Sequence, residues 1–302
     1  MFASSAAHDD RPTRLLKERI RTLFRHLAVA LAGDEEGIHQ MRVAGRRTRV
    51  LLPLMTLQPD GKRVRRARRI LKALVRTAGS CRDLDVSQTL LEAHVATLAS
   101  PSSEIVLLRR RLRTARRRRR TRMTEGLLDQ EFPRLRRDLR IILARGTVEA
   151  ATIQLRLGEI VNRVGGGLLS AHEVLGDRFD PEELHRLRTQ VRRLRYAAEV
   201  AAELWDGASD PPKRLKRLQE QLGHVHDTWV LAEWLERHAV AAERQTKLAL
   251  STEARHLAGA FREHSHAQHR TYLEHRPLER LKRVLLRLGR VGLFPHALRR
   301  AQ

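Results

Sequence analysis

The sequence predicts an all-α protein, and three observations predict it. Leu, Ala, Arg and Glu dominate the 302 residues, and all four form helices well. Aromatic residues make up 4% of the chain against 41% hydrophobic residues overall, so the core has to be aliphatic. Apolar residues return at steps of three and four along nearly the whole length, the period of a helix with one buried face.

The elements follow in order. A first helix is predicted from about Thr13 to Leu31, with Leu15, Leu16, Ile20, Leu23, Leu27 and Leu31 inward. "GDEEG" opens a second helix over about 34–57, with Asp34 as N-cap and acids in its first turn. "QPDGK" is a turn, and one helix is expected over about 62–98. "SPSSE" breaks the chain again, with Ser103 a candidate cap for a long basic helix from Glu104 to about Gly126. "EFPRL" restarts a helix that ends at Gly146, and another covers about 148–175, where "GGG" at 165–167 is either a kink or a close backbone approach. In "DRFDPEELH", Asp180 caps, Pro181 takes the first helical position and Glu183 closes a capping box. A helix begins near Pro211, and 240–288 reads as one or two long helices. Residues 1–12 are expected to be a disordered segment and 291–302 a tail.

Charge sets the class of partner. The formal net charge is +25, with 34 basic against 16 acidic residues in 1–150 and 26 against 19 in 151–302. Such a balance points to a polyanion: nucleic acid, an acidic membrane surface or an inorganic phosphate polymer. Arg outnumbers Lys by 53 to 7, and the guanidinium fork suits phosphate; a GC-rich genome would favour arginine codons as well. The single cysteine, Cys81, excludes a disulfide framework within one chain and fits a reducing compartment. No stretch approaches the roughly 18 apolar residues of a membrane span, and "MFASSAAHDD" has no secretory pattern, so a cytoplasmic protein is expected.

The chain also echoes itself. His39, Arg42, Arg46, Arg47 and Arg49 recur at the same internal spacing as His185, Arg188, Arg192, Arg193 and Arg195, at an offset of 146. "LKALVRTAGSCRDLDV" (71–86) matches "LKRLQEQLGHVHDTWV" (215–230) at an offset of 144, pairing Lys72 with Lys216, Gly79 with Gly223 and Asp83 with Asp227. Two ordered blocks at nearly one offset predict a tandem duplication, with a first helical half over 13–147 and a second over 148–290.

On a helix advancing roughly 100° per residue, His39, Arg42, Arg46 and Arg49 fall on a stripe about 80° wide, and Arg47 lies at its edge. Met41, Ala44, Leu51, Leu52 and Met55 lie on the opposite side. In the second half His185, Arg188, Arg192 and Arg195 form the stripe, with Arg193 at the edge. Leu187, Val191, Leu194, Ala198 and Ala201 form its core face. Like charges at this spacing repel by a few tenths of a kcal/mol per pair. Almost no carboxylate is interleaved, so each stripe reads either as a solvated basic face or as an anion-binding ridge, and the repeat favours the ridge. Two such ridges across a groove would grip a polyanion from both sides. His39 and His185 are then phosphate contacts, Lys72 and Lys216 join the groove, and Asp83 and Asp227 orient its arginines. Gly79 and Gly223, expected in mid-helix, suggest close helix packing. No metal site is expected: the ridges supply no second His or carboxylate at ligand spacing, and of the two His-rich stretches, "HVH" at 224–226 and "HSHAQH" at 264–269, the first points its two histidines apart. The run "RRRRR" at 116–120 wraps around a helix and reads as solvated surface.

At these residues the sequence resembles the conserved histidine α-helical domain, CHAD. "HQMRVAGRRTRVL" is similar to its first signature, and "LHRLRTQVRRLRYAAEV" with "LKRLQEQLGHVHD" to its second, over about residues 13–240. The resemblance implies two pseudo-symmetric four-helix bundles with a central basic groove or pore, binding of inorganic polyphosphate, and association with polyphosphate granules. Through it, His39, Arg42, Arg46, Arg47, Arg49 and Lys72, with His185, Arg188, Arg192, Arg193, Arg195, Tyr196 and Lys216, are the basic-site positions. Gly45, the "GGG" triplet, Thr189 and Gln190 depart from the family pattern and bear on local groove shape. Relatives often carry a triphosphate-tunnel domain with an ExExK motif; none occurs here, so a stand-alone form without that chemistry is expected.

The expected function is therefore non-catalytic polyphosphate binding, with no cofactor. Backbone-directed nucleic-acid binding is the alternative. The groove motifs offer only Tyr196 for base stacking, which counts against single strands. An enzyme using His39 or His185 as phosphoryl acceptor lacks a Gly-rich phosphate loop or a metal-carboxylate cluster to support it.

Overall fold

A computed structural model describes residues 10–128 and 131–293, and these are helical almost throughout, with no strand among them beyond one isolated bridge, Thr56–Thr147. The helices are α1 (Arg11–Leu31), α2 (Glu35–Met55), α3 (Lys62–Thr77), α4 (Gly79–Val95), α5 (Ser103–Leu128) and α6 (Phe132–Ala144). They continue as α7 (Ala150–Leu175), α8 (Pro181–Leu204), α9 (Asp210–Glu243), α10 (Leu248–Glu274) and α11 (Pro277–Leu288).

The capping signals act largely as their chemistry dictates. Asp34 accepts from the Gly37 amide at 2.6 Å, and Asp180 accepts from the amides of Glu182 and Glu183, each at 3.0 Å. The capping box is only half made, because the Glu183 carboxylate turns to Arg186. Ser102, not Ser103, caps α5, accepting from the Ile105 amide at 3.2 Å. Pro53 lies inside α2, and the carbonyls near the helix end are gathered by Arg156 of α7, whose Nη1 donates to Pro53, Leu54 and Thr56 at 3.2, 3.1 and 2.8 Å.

Four expectations need correction, and a fifth, left open, is decided. The helix expected over 62–98 is two, α3 and α4, broken at Ala78, so Gly79 opens a helix instead of standing in the middle of one. Of the two readings left open for the "GGG" triplet, the kink is absent, since α7 runs through it, and the close approach belongs to Gly165 alone, where a Cβ would meet the Leu285 Cδ2 of α11 at 2.5 Å. The region 240–288 holds the end of α9 followed by α10 and α11, with Arg276 in the left-handed region (φ 49°) just before Pro277. At the N-terminus Arg11 and Pro12 are already helical. The expected C-terminal tail begins inside a π-helical turn, Gly289–Leu293. Residues 1–9 and 294–302, on which the rest of both terminal expectations fell, lie outside the described residues.

Packing joins the halves in two places. α1, α2, α3 and α6 surround one aliphatic region, and α7, α8, α11 and the first part of α9 surround another. The two run together into one core through the contact of α2 with α8. A second core is made jointly: Leu91, Leu108 and Leu112 of the α4–α5 hairpin pack with Leu231, Leu235 and Leu257 of the α9–α10 hairpin. Residues 13–147 and 148–290 therefore do not close separate cores, because each contributes a hairpin to this shared one. All five apolar residues predicted for the core side of α2, and all five predicted for α8, are buried. The opposite sides of α2 and α8 are thereby turned toward each other.

Candidate functional site

Burying one face of an amphipathic helix fixes where the other face goes. The basic stripes of α2 and α8 meet over a cavity of about 530 Å³. α2 supplies His39, Arg42, Arg46 and Arg47, and α8 supplies Arg188, Arg192, Arg195 and Tyr196. α9 adds Lys216 and Asp227, and α4 adds Asp83. Eleven of the fifteen residues singled out from sequence thus line one cavity.

The other four do not line it. Lys72 is exposed on α3. His185 sits beside His226 of α9 and within the field of Arg188, Arg192 and Asp83. Arg49 and Arg193 turn away toward Arg68. The repeat pairs Arg47 with Arg193 and Arg49 with Arg195, yet the cavity takes one member of each pair. Two helices meeting face to face present opposite edges of their stripes to the same opening.

Arg42 is the most deeply placed of the arginines, at 7% exposure. Burial, then the charge of Arg46, pulls it down to about 10; burial and the same Arg46 pull Arg192 down to about 9. Both stay protonated at neutral pH, so the protein holds mutually repelling cations in a partly dry space. Burial also lowers His39, with Arg82 adding to the effect. The Nε atoms of Arg42 and Arg188 are buried without a hydrogen-bond partner. Unmatched buried N–H groups are uncommon in a folded protein, and here they belong to cations facing an open cavity.

The paired glycines Gly79 and Gly223 face these guanidinium groups. A Cβ on Gly223 would lie 3.6 Å from Arg188 Nε, and one on Gly79 would lie 3.9 Å from Arg42 Nη2. The close helix packing expected at these glycines is not found: each faces only an arginine side chain, at ordinary contact distance. Asp227 Oδ1 lies 3.9 Å from Arg188 Nη2, an ion pair too long to be a hydrogen bond, and burial raises its pKa despite that cation.

One carboxylate overturns the picture of ridges without acids. Glu199, one turn after Arg195, accepts from Arg195 Nη1 at 2.6 Å and from Arg47 Nε at 2.8 Å. Tyr196 packs below the same pair, with Arg195 Cζ 4.7 Å and Arg47 Cζ 6.0 Å from its ring centre. Sequence reasoning also passed over Arg82, Gln219 and His224, which line the cavity. Alignment at the offset of 144 carried the missing signal for one of them, since it sets Arg82 opposite His226. In the 116–120 run, Arg116 and Arg120 form ion pairs with Glu35 and Asp85, while Arg117, Arg118 and Arg119 are exposed. Two of these five arginines therefore brace α5 against α2 and α4 and are not merely solvated.

Among the described residues no helix is long and apolar enough to cross a membrane, and no group of three or more His, Cys, Asp or Glu side chains is arranged to hold a metal ion.

Comparison with known proteins bears on the family and the fold. The chain is 26% identical over 241 residues to "Uncharacterized protein MT2285" of Mycobacterium tuberculosis, an alignment covering 76% of this chain and 45% of that protein. The chain thus spans less than half the length of this curated relative. Its fold is similar to that in "Crystal structure of the CHAD domain from the plant Ricinus communis", with a TM-score of 0.59, 22% identity, and coverage of 95% of this chain and 93% of that one. The family model for the CHAD domain matches residues 14–236, across both basic stripes and the cavity between them, and the chain belongs to the CHAD domain family.

Proposed function

We propose that the protein binds inorganic polyphosphate in the cavity between α2 and α8, without catalysing a reaction on it, and that this binding associates it with polyphosphate granules in the cytoplasm. The CHAD family is associated with polyphosphate binding in general. The observation that carries the reading for this chain is the pair Arg42 and Arg188, whose buried Nε donors are unmatched and which meet one cavity from two helices. A phosphate chain presents oxyanions in every direction and no base to read. Forked donors on both walls suit it, and its negative charge offsets the repulsion that the empty cavity holds. Tyr196 is buried at 4% exposure between Arg47 and Arg195, so it offers no open face on which a nucleobase could stack.

Arg46→Ala and Arg192→Ala should each weaken polyphosphate binding by about 1.5–3 kcal/mol, the range for charge-assisted hydrogen bonds. Affinity should fall steeply with salt as counterions are released. Competition between long-chain polyphosphate and duplex DNA at about 0.15 M salt decides between the two polyanions, since surface steering is partly screened there. Preference for DNA, or unchanged affinity in both variants, would overturn the assignment.

A further inference from the structure

α9 does not end where the cavity does. Gly223 and Asp227 line it, and Val230, Trp234 and Arg237 follow at steps of three and four, so the same face of the helix runs on. There it lines a second cavity, of about 450 Å³. α4 walls this cavity with Leu84 and Ser87, and α5 walls it with Arg118, Arg119 and Arg122. α4 packs against both α5 and α9, which holds the three walls together. Asp83 of α4 lines both cavities, so they adjoin at that residue. A further hollow, of about 380 Å³, shares Ala115 and Arg118 with the second cavity and adds Arg110 and Arg111. The basic lining thus continues along α5.

The charge of the second cavity is almost all of one sign. Arg118, Arg119, Arg122 and Arg237 are exposed, and among the described residues none of them forms an ion pair with an acidic side chain. Arg118 and Arg119 stand four and three residues before Arg122 on α5, a spacing at which like charges repel. Their neighbours Arg116 and Arg120 differ, since Glu35 and Asp85 hold them. The run of arginines is therefore divided: two are matched within the protein, and two line a cavity unmatched. Asp83 is the one acid among the described residues lining the second cavity. Arg82, the residue before it, lines the first cavity and carries the opposite charge, so the pair brings no net negative charge to the junction.

We propose that the second cavity extends the binding site. A polyphosphate chain long enough to leave the first cavity passes Asp83 and is held by Arg118, Arg119 and Arg122 of α5 and Arg237 of α9. The inference rests on the polyphosphate reading above and adds to it a selectivity for long chains.

Binding titrations of the full chain with long-chain polyphosphate and with tripolyphosphate test the extension. Replacing Arg118 and Arg122 together by Ala should weaken long-chain binding roughly tenfold and leave tripolyphosphate binding in the first cavity unchanged. Both side chains are exposed and Ala is the best helix former, so this variant should fold. Arg237→Ala, on another helix, should also weaken the long chain alone. Arg137→Ala combined with Arg140→Ala removes the same charge from exposed positions of α6, which packs on α1 and α3, and should change neither affinity. Long-chain binding that survives the α5 variant overturns the extension. So does an equal loss in the α6 variant, because net charge then accounts for the effect, and so does an equal loss of both ligands in the α5 variant. Arg192→Ala separates these failures from failure of the first cavity. It should weaken tripolyphosphate, and if it does so while the α5 variant binds long chains normally, the cavity stands and only the extension falls. Tripolyphosphate binding untouched by Arg192→Ala removes the cavity reading, and the extension with it.

Discussion

His185 and His226 meet through their ring nitrogens, with the two Nδ1 atoms 3.2 Å apart and the ring centres at 4.3 Å. Only one of the facing nitrogens can carry a proton in such a contact, so the two rings cannot both be imidazolium. Burial, then His185 itself, drives His226 down to about 3, and burial with Arg188 and Arg192 lowers His185. Asp83 is the acidic group that acts against this, on His185. The first half has Arg82 at the position corresponding to His226, and its charge acts on His39.

The sign of the pH dependence follows. The folded pKa of His226 lies below its ordinary 6.5, so the unfolded chain takes up the proton first. Stability from the neutral pair is complete above about pH 6.5 and is lost as pH falls toward 3. A bound polyanion reverses the preference, because phosphate stabilises imidazolium. The thermal midpoint of the free protein should fall between about pH 7 and 5, the range over which an ordinary histidine gains its proton, while polyphosphate affinity rises. His226→Asn should flatten both trends. A variant whose midpoint and affinity follow the wild-type pH curves would remove the histidine pair from the account.

Glu199 gives a second prediction, with opposite signs for stability and binding. It neutralises Arg47 and Arg195 from inside the cavity wall, at 13% side-chain exposure. Glu199→Gln should destabilise the free protein by about 1.5–3 kcal/mol, the value of hydrogen bonds to charged groups. It should also tighten polyphosphate binding by roughly tenfold, about 1.4 kcal/mol, because two guanidinium groups become available. Chemical denaturation and a binding titration on the same preparation measure both. Weakened binding would show that Glu199 positions the arginines instead of competing with the ligand.

The parts of this site that were legible in the sequence are those fixed by helical geometry alone. Arg42, Arg46, Arg188 and Arg192 share a face whatever surrounds the helix, and the buried faces of α2 and α8 settle which way that face looks. The edges were not legible, because a neighbouring helix decides them. Arg47 enters the cavity and Arg193 does not, although the repeat makes them equivalent. Glu199 reaches Arg47 across 152 residues, a distance no local pattern encodes. The break between α3 and α4 was hidden for a related reason. Ala78 carries no turn signal, and its counterpart in the second half lies within the unbroken α9.

Arg42 gives a third prediction. It is a buried cation whose Nε has no partner, and the strongest charge acting on it, that of Arg46, repels it. Arg42→Met keeps much of the side-chain bulk and removes the charge. The free protein should gain about 1 kcal/mol, since sites kept strained for function commonly release stability when altered. Polyphosphate affinity should fall by at least tenfold. A variant that is less stable and binds normally would mean that Arg42 packs the core and does not meet the ligand.

Two glycines with different surroundings give the last prediction. A Cβ on Gly165 would lie 2.5 Å from Leu285 Cδ2 and 3.2 Å from its Cδ1, so α7 and α11 must part or Leu285 must rotate. Gly165→Ala should therefore cost about 1–3 kcal/mol, the range for overpacking a filled core. A Cβ on Gly223 meets only the Arg188 guanidinium, at 3.6 and 3.8 Å, which is ordinary contact. Gly223→Ala replaces a glycine in the interior of α9 by the best helix former and should gain about 0.8–1 kcal/mol. Urea midpoints at constant slope measure both. If Gly223→Ala instead destabilises the protein, Arg188 needs more room than the bare contact distance provides. The glycine would then be held by the arginine, and the local helix would bear the cost.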